Sequence, residues 1–314
     1  MTVSIIICTR NRADSLRPTL ASIGRAVVPA GWKVEVLVVD NGSTDYTPAV
    51  VAEAKLAHVI VRHIVEARAG QCYARNTGLA KSSGEAILFT DDDVRVPPTW
   101  ISAMAQPILA GDSAALAGGV IFPRHVMEAI GRSPWSAKKS WFADTADLDR
   151  KAPSRLVGAN MAFHRRVLQR VSGFDVELGP GALGFGDETL FSWQLKEAGF
   201  PLAGALDTAI EHHFDLSRLT GDNMLAAAQK HGRSEAFILH HWKHEKPPHA
   251  FRRATKCHLR RFWFRSLKQL GGNTSHIASN EALDLEWHVA FYREFSILRN
   301  RPRKYAQRGL TPLG

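Results

Sequence analysis

A chain of 314 residues with 45% hydrophobic content can bury a full core as one large domain or two, which excludes a disordered or fibrous polymer. Three scattered cysteines, Cys8, Cys72 and Cys257, show no zinc or redox spacing and exclude a disulfide framework, so a reducing compartment is expected. The net charge of +10 gathers toward the C-terminus: Arg252, Arg253, Lys256, Arg260, Arg261, Arg265 and Lys268 follow without an acid, and Arg299, Arg301, Arg303, Lys304 and Arg308 add to them.

The first predicted strand, residues 3–8, is too short for the regions of a signal peptide, and no apolar run is long enough to span a bilayer as a helix. A cytoplasmic protein is the expectation. Leu16, Leu20 and Ile23 then recur at helical spacing behind Asp14. Strands are predicted at 34–40, 59–65, 86–90 and 115–122, with helices at 48–56, at 70–79 and from Pro97-Pro98 to about 109. This alternation predicts an α/β fold with a mostly parallel central sheet flanked by helices. Residues 123–155 carry no periodicity and read as a lid or acceptor loop around Trp135, Trp141 and Phe142. A helix is predicted over 187–198, and after about residue 216 helical patterns rich in His, Trp and Phe replace the strands.

Several strands deliver polar residues at their C-terminal ends: Thr9-Arg10, Asp40, and Asp91 to Asp93. In open α/β sheets that edge binds ligands. Three adjoining carboxylates repel one another, and each pKa rises unless a cation sits nearby. The run Ile87-Leu88-Phe89-Thr90-Asp91-Asp92-Asp93 therefore asks for a hard divalent metal, Mg²⁺ or Mn²⁺. Taken alone, it reads equally as an acidic loop after a buried strand.

Five stretches lie in a telling order: Val3-Ser4-Ile5-Ile6-Ile7-Cys8-Thr9-Arg10-Asn11-Arg12; Val38-Val39-Asp40-Asn41-Gly42-Ser43-Thr44-Asp45; Gly70-Gln71-Cys72-Tyr73-Ala74-Arg75-Asn76-Thr77-Gly78; Asp91-Asp92-Asp93; and Gly186-Asp187-Glu188. Together they make the chain resemble the family 2 glycosyltransferases, nucleotide-diphospho-sugar transferases of the GT-A fold. The resemblance implies a catalytic domain over 1–215, with a nucleotide-sugar half at about 1–122 and an acceptor half at about 156–215, then a mostly helical basic region over 216–314. It implies metal-dependent transfer of a sugar, with inversion, from a nucleotide-sugar donor to a hydroxyl of a glycan or lipid-linked acceptor. Bacterial surface polysaccharide or glycolipid synthesis is the setting it implies.

By the same resemblance Asp40 reads the nucleobase, Thr9, Arg10 and Arg12 line the crevice, and Arg75 and Asn76 help hold the nucleotide. Asp93 ligates the metal together with Asp91, Asp91 or Asp92 serves the ribose or a metal-bound water, and His212 completes the metal shell or touches the diphosphate. Imidazole suits Mn²⁺ better than Mg²⁺. His213 should face the opposite way if its segment is extended. Asn160 is an acceptor-side contact. The base that deprotonates the acceptor is Glu188 or Asp187: this chain reverses the family's Glu-Asp order, so position favours Glu188 and residue type favours Asp187. Blander roles compete. Asp40 can cap its own turn, Arg75 can lie on a solvated face, and the acid pair can complement a helix dipole.

Residues 250–270 interleave Phe251, Leu259, Phe262, Trp263, Phe264, Leu267 and Leu270 with the cations. Such a helix suits an anionic membrane surface, which would make the protein peripheral on the cytoplasmic face of the inner membrane. A helix packed on the catalytic domain with its Arg face solvated is the competing reading. Nucleic acid is disfavoured because no nucleic-acid fold signature accompanies the charge. The reversed Asp187-Glu188 order keeps a non-catalytic sugar-nucleotide or glycan binder as an alternative. A nucleotidyltransferase of related fold is another, although its Gly-rich N-terminal loop is missing here.

Overall fold

A computed structural model describes residues 1–248, 250–269 and 280–309. In chain order the elements are β1 (Thr2–Thr9), α1 (Ala13–Gly24), β2 (Lys33–Asp40), α2 (Thr47–Glu53), β3 (Val59–Val65), α3 (Gln71–Lys81), β4 (Ala86–Thr90), β5 (Val94–Arg95), α4 (Trp100–Leu109), β6 (Ala115–Ile121), α5 (Arg124–Arg132), β7 (Asn160–His164), α6 (Asp187–Glu197), β8 (Leu202–His212), α7 (Gly221–Ile238), α8 (Ala250–Gln269) and α9 (Asn280–Leu298). They fall into two compact units. The first holds Met1–Val126, Lys139–Glu177 and Asp187–Phe214; the second holds Met127–Lys138, Leu178–Gly186 and the chain from Asp215 onward.

In the first unit the strands pair in the order β3-β2-β1-β4-β7-β6-β8-β5. The strands β1 to β4 run parallel, and β6 runs parallel to β8. Only β7 and β5 run against their neighbours. The middle of β1 is apolar on both faces because helices cover both, as a parallel sheet requires. Ile5 and Ile7 share a core with Leu16, Leu20 and Ile23 of α1. Ile6 points the other way and meets α3, where a Cβ at Gly78 would lie 2.5 Å from its Cγ2. Glycine there lets α3 settle onto the sheet, carrying Arg75 and Asn76 with it. Each buried isoleucine is worth about 1.5–3 kcal/mol.

The register aligns the strand ends. Thr9 pairs with Asp40, Ile7 with Thr90, and Thr90 with Asn160. Past the acidic turn the two-residue β5 pairs with the end of β8, Val94 opposite His212, and the His213 N–H donates to the Asp93 carbonyl at 2.8 Å. This short ladder brings a histidine from far along the chain beside Asp93.

The stretch read as a structureless lid is partly helical: it contains α5 and a 3₁₀ segment, Ser136–Phe142. Val126 and Ile130 are the buried anchors of α5. Two anchors four residues apart are too few to announce a helix by periodicity.

In the second unit Ala236 of α7 packs with Phe291, Tyr292 and Phe295 of α9, and Ala254 and Cys257 of α8 lie against them. A π-helical turn, Leu239–Lys243, follows α7. Its two histidines and the following His244 strap down the segment after α9. His240 Nε2 lies 3.1 Å from the Arg301 carbonyl, His244 Nε2 lies 2.9 Å from that of Tyr305, and His241 Nδ1 accepts from the Lys304 N–H at 3.1 Å. These three histidines of the pattern after residue 216 thus have an architectural role. Among the described residues no helix is long and apolar enough to cross a membrane. Leu270 and the side chains of Phe251, Trp263, Phe264, Arg265, Leu267 and Lys268, counted above toward a membrane surface, lie outside the described residues.

Candidate active site

The acidic turn after β4 is pinned from below by α1. The buried Thr19 hydroxyl lies 2.8 Å from the Asp92 carbonyl and 3.0 Å from that of Val94, and it accepts from the Val94 N–H at 3.2 Å. From this turn Asp91 and Asp93 converge with His212, and one ligand atom from each lies within 4.8 Å of the others. His212 Nδ1 donates to the Phe142 carbonyl at 3.0 Å, which turns Nε2 toward Asp93 Oδ1 at 3.2 Å. Such a second-nitrogen bond orients metal-ligating histidines. Phe122, Phe142 and Phe214 surround the ring. His213 lies on the other side of the strand end, 3.3 Å from Glu211.

The three acids divide the work. Asp92 turns away from the cluster and is held by the Thr9 hydroxyl at 2.7 Å and Arg12 Nε at 2.9 Å. Arg12 also donates to Asp93 Oδ2. Burial pushes the carboxyl of Asp92 up to about 7 despite Arg12, and it raises that of Asp91 with help from Asp93. Burial is the larger cause at both, so both carboxyls resist ionising where no further cation compensates them. Two carboxylates and an imidazole fit a divalent cation of borderline softness, which Asp91, Asp93 and His212 could hold together.

A second cluster forms where α6 begins. Arg75 is buried and forks onto both acids: its NH1 pairs with Asp187, and its NH2 lies 3.1 Å from Glu188 Oε1. Cys72 Sγ lies 3.6 Å from Asp187 Oδ2. The Asp187 side chain is 1% exposed, that of Glu188 28%. Burial pushes Asp187 up to about 7, with Glu188 adding to the rise. Glu188 is also penalised by burial, but the Arg75 charge and the Asp187 bond hold it below the usual range. Two carboxylates on one guanidinium are thereby driven apart, the pattern that separates acid from base roles. Glu188 is the ionised, reachable member.

The clusters share one neighbourhood. Asp91 feels the charges of Arg75 and Glu188. The thiol of Cys8, near the end of β1, is pushed up to about 12 by burial and feels Arg75, Asp91, Asp92 and Asp187. Gly158, just before β7, lets Arg75 and Glu188 approach the backbone: a Cβ there would lie 2.2 Å from Arg75 NH2 and 2.3 Å from Glu188 Oε1. Gly158→Ala should push the Arg75 and Glu188 side chains from these positions and lower stability by about 1–3 kcal/mol, the usual cost of overpacking. A melting curve identical to wild type would show that the pair accommodates the methyl group.

Other residues named from the sequence sit elsewhere or are already engaged. Asp40 Oδ1 accepts from the Ser43 N–H at 2.7 Å, and its Oδ2 lies 3.3 Å from His63 Nε2 at the same sheet edge. Arg10 is exposed on the following loop. Asn76 clamps Phe174, donating to its carbonyl at 2.8 Å and accepting from its N–H at 2.9 Å. Asn160 is 0% exposed. Its Oδ1 accepts from Trp100 Nε1 at 2.9 Å, and its Nδ2 donates to the carbonyls of Gly119 and Thr208 at 2.8 Å each. The structure thus joins Thr9, Arg12 and Asp91 to Asp93 with His212, and Arg75 with Asp187 and Glu188. It does not bring Asn76 or Asn160 to either cluster. Thr19, Gly158 and the Phe142 carbonyl were not assigned roles from the sequence. A backbone carbonyl leaves no residue-type signal, whereas Gly158 lies within the acceptor half expected at about 156–215.

Comparison with known proteins adds a lineage. Residues 4–172, more than half of the chain, match the family Glycosyl transferase family 2. Glycosyltransferase AglE of Haloferax volcanii is 34% identical over 118 residues, 37% of this chain and 38% of that protein. The undecaprenyl-phosphate 4-deoxy-4-formamido-L-arabinose transferase of Klebsiella pneumoniae is 30% identical over 107 residues, 33% of this chain and 32% of that one. The glucosyl-dolichyl phosphate glucuronosyltransferase of Haloferax volcanii is 22% identical over 187 residues, 57% of this chain and 58% of that one. The chain spans less than two thirds of the length of each of these relatives. Among solved structures, the mannosyltransferase PcManGT from Pyrobaculum calidifontis, in complex with GDP-Man and Mn²⁺, superposes with a TM-score of 0.55 at 22% identity, over 78% of this chain and 66% of that one. The shared architecture is the mixed α/β sheet flanked by helices of GT-A proteins.

Proposed function

The chain belongs to glycosyl transferase family 2, and from that premise we propose that it transfers a sugar from a nucleotide-sugar to an acceptor hydroxyl by one inverting displacement. The observation that carries this reading is the convergence of Asp91, Asp93 and His212 at the sheet edge that also holds Glu188 within reach of solvent. A divalent cation at the first cluster, Mn²⁺ or Mg²⁺, would neutralise charge on the departing diphosphate. The histidine favours Mn²⁺. Glu188 takes the proton of the acceptor hydroxyl, while Arg75 and Asp187 hold its carboxylate in place. Asp40, Thr9, Arg10 and Arg12 lie on the loops and strand ends suited to the nucleotide. The complex of PcManGT with GDP-Man and Mn²⁺ supports such a donor site on this fold. Relatives named for dolichyl and undecaprenyl phosphates favour a lipid-linked acceptor.

Incubation with UDP-, GDP-, dTDP- and CDP-sugars and Mn²⁺ tests the reaction. Release of a nucleoside diphosphate from one of them, abolished by EDTA, is expected. Pyrophosphate release instead would make the protein a nucleotidyltransferase. Thermal stabilisation by a donor and its acceptor together, with no turnover of the donor, would make it a binder.

A further inference from the structure

We propose that the outward face of α8 docks the protein onto an anionic lipid bilayer. One stripe of this helix is already used. Ala254 and Cys257 lie against the core of the second unit, and Arg261 Nε pairs with Glu286 Oε1 of α9 at 2.7 Å. These positions recur at three and four residues, so they share a face. The opposite face presents Arg252, Arg253, Lys256, Leu259 and Arg260 to solvent, with Phe262 at its flank. Leu259 is 65% exposed and Phe262 is 72% exposed. No Asp or Glu occurs in the chain between Glu245 and Glu281, so this face carries no opposing side-chain charge from its own segment.

Single exposed apolar residues are ordinary on protein surfaces. Two on adjacent turns of one helix, ringed by cations, make a different surface. Arginine and lysine stems reach outward and place their charges at the level of lipid phosphates, while leucine and phenylalanine enter the acyl boundary beneath. Phosphodiesters of RNA would satisfy the cations and leave Leu259 without a role. The charge therefore selects an anionic surface, and the apolar pair selects a bilayer among such surfaces. Arg261 takes no part, because Glu286 holds it inward.

Co-sedimentation of the full chain with vesicles tests the proposal. The protein should bind phosphatidylcholine vesicles containing about a third phosphatidylglycerol, but not phosphatidylcholine alone. Binding should weaken in about 0.5 M salt, where the screening length shrinks. Changing Arg252, Arg253, Lys256 and Arg260 together to Gln should weaken binding at least tenfold, since each well-placed cation contributes roughly fivefold. Leu259→Ser with Phe262→Ser keeps the charge and should still weaken binding about tenfold by removing the inserted apolar area. Absent binding to the anionic vesicles, equal binding to the neutral ones, or a serine variant that binds like wild type would each overturn the proposal. The last result would show that charge alone carries the contact and that nothing in this face selects a bilayer over another polyanion. Donor hydrolysis in lipid-free solution should be unchanged in both variants, which verifies folding and keeps this test separate from that of the sugar transfer.

Discussion

Glu188→Gln should lower sugar transfer by roughly 10²–10⁴-fold, the usual worth of a general base, while leaving donor affinity nearly unchanged. The substitution keeps shape and removes only the proton acceptor. Asp187→Asn should act differently. Asp187 is buried against Arg75 and Cys72, so its loss should show chiefly as lower thermal stability and a smaller fall in rate. Steady-state kinetics and a melting curve on both variants decide the matter. A crippled Asp187→Asn beside a nearly normal Glu188→Gln would exchange their roles. The pH profile adds a sign. A base works when ionised, and Arg75 holds Glu188 below the ordinary glutamate range, so the wild-type rate should stay flat through neutrality and fall only in acid. Arg75→Met should raise that carboxyl's pKa, moving the acid limb upward so that the rate lost near neutrality returns as pH rises. Removing one partner of a buried ion pair should also cost about 3–5 kcal/mol of stability.

Asp93→Ala should abolish metal-dependent nucleotide binding without unfolding the protein. The side chain lies at a strand's end, paired with Arg12 and beside His212 and outside the apolar core, so its removal should lower the melting temperature without preventing folding. A nucleotide present at a hundred times its dissociation constant stabilises a protein by about 2.7 kcal/mol. Wild type should show that rise in melting temperature with Mn²⁺ and nucleotide together, and Asp93→Ala should show none. A variant that is stabilised as much as wild type, in the presence of metal, would remove Asp93 from the proposed metal site. His212→Gln offers a graded comparison, because two carboxylates remain and the loss should be partial.

Much of this arrangement was legible before any coordinates. Alternating apolar runs and helical periodicities marked the strands β1 to β4 and β6, because those signals arise from contacts each segment makes along its own length. The same local signals put Thr9, Asp40 and Asp91 to Asp93 at the C-terminal edge, since parallel strands joined by helices must end together. The helix α5 escaped notice because only Val126 and Ile130 anchor it.

The identities of partners were decided by tertiary structure. Arg75, expected beside the nucleotide from its motif, folds against Asp187 and Glu188, more than a hundred residues away in sequence. That choice also separates the two acids, which residue order left ambiguous: burial raises one, and partial exposure beside a guanidinium keeps the other ionised. Asn160 likewise reads as a polar group at a strand end, but the register of β7 turns it into the sheet, where Trp100, Gly119 and Thr208 take its hydrogen bonds. His212 meets Asp93 only because β5 closes onto β8, and its ring is oriented by a carbonyl from a segment with no periodic signal. Residue types and their spacing determined which chemical groups this protein carries to the edge of its sheet. Long-range closure alone decided which charges touch, because a side chain's partner depends on where distant backbone segments come to rest.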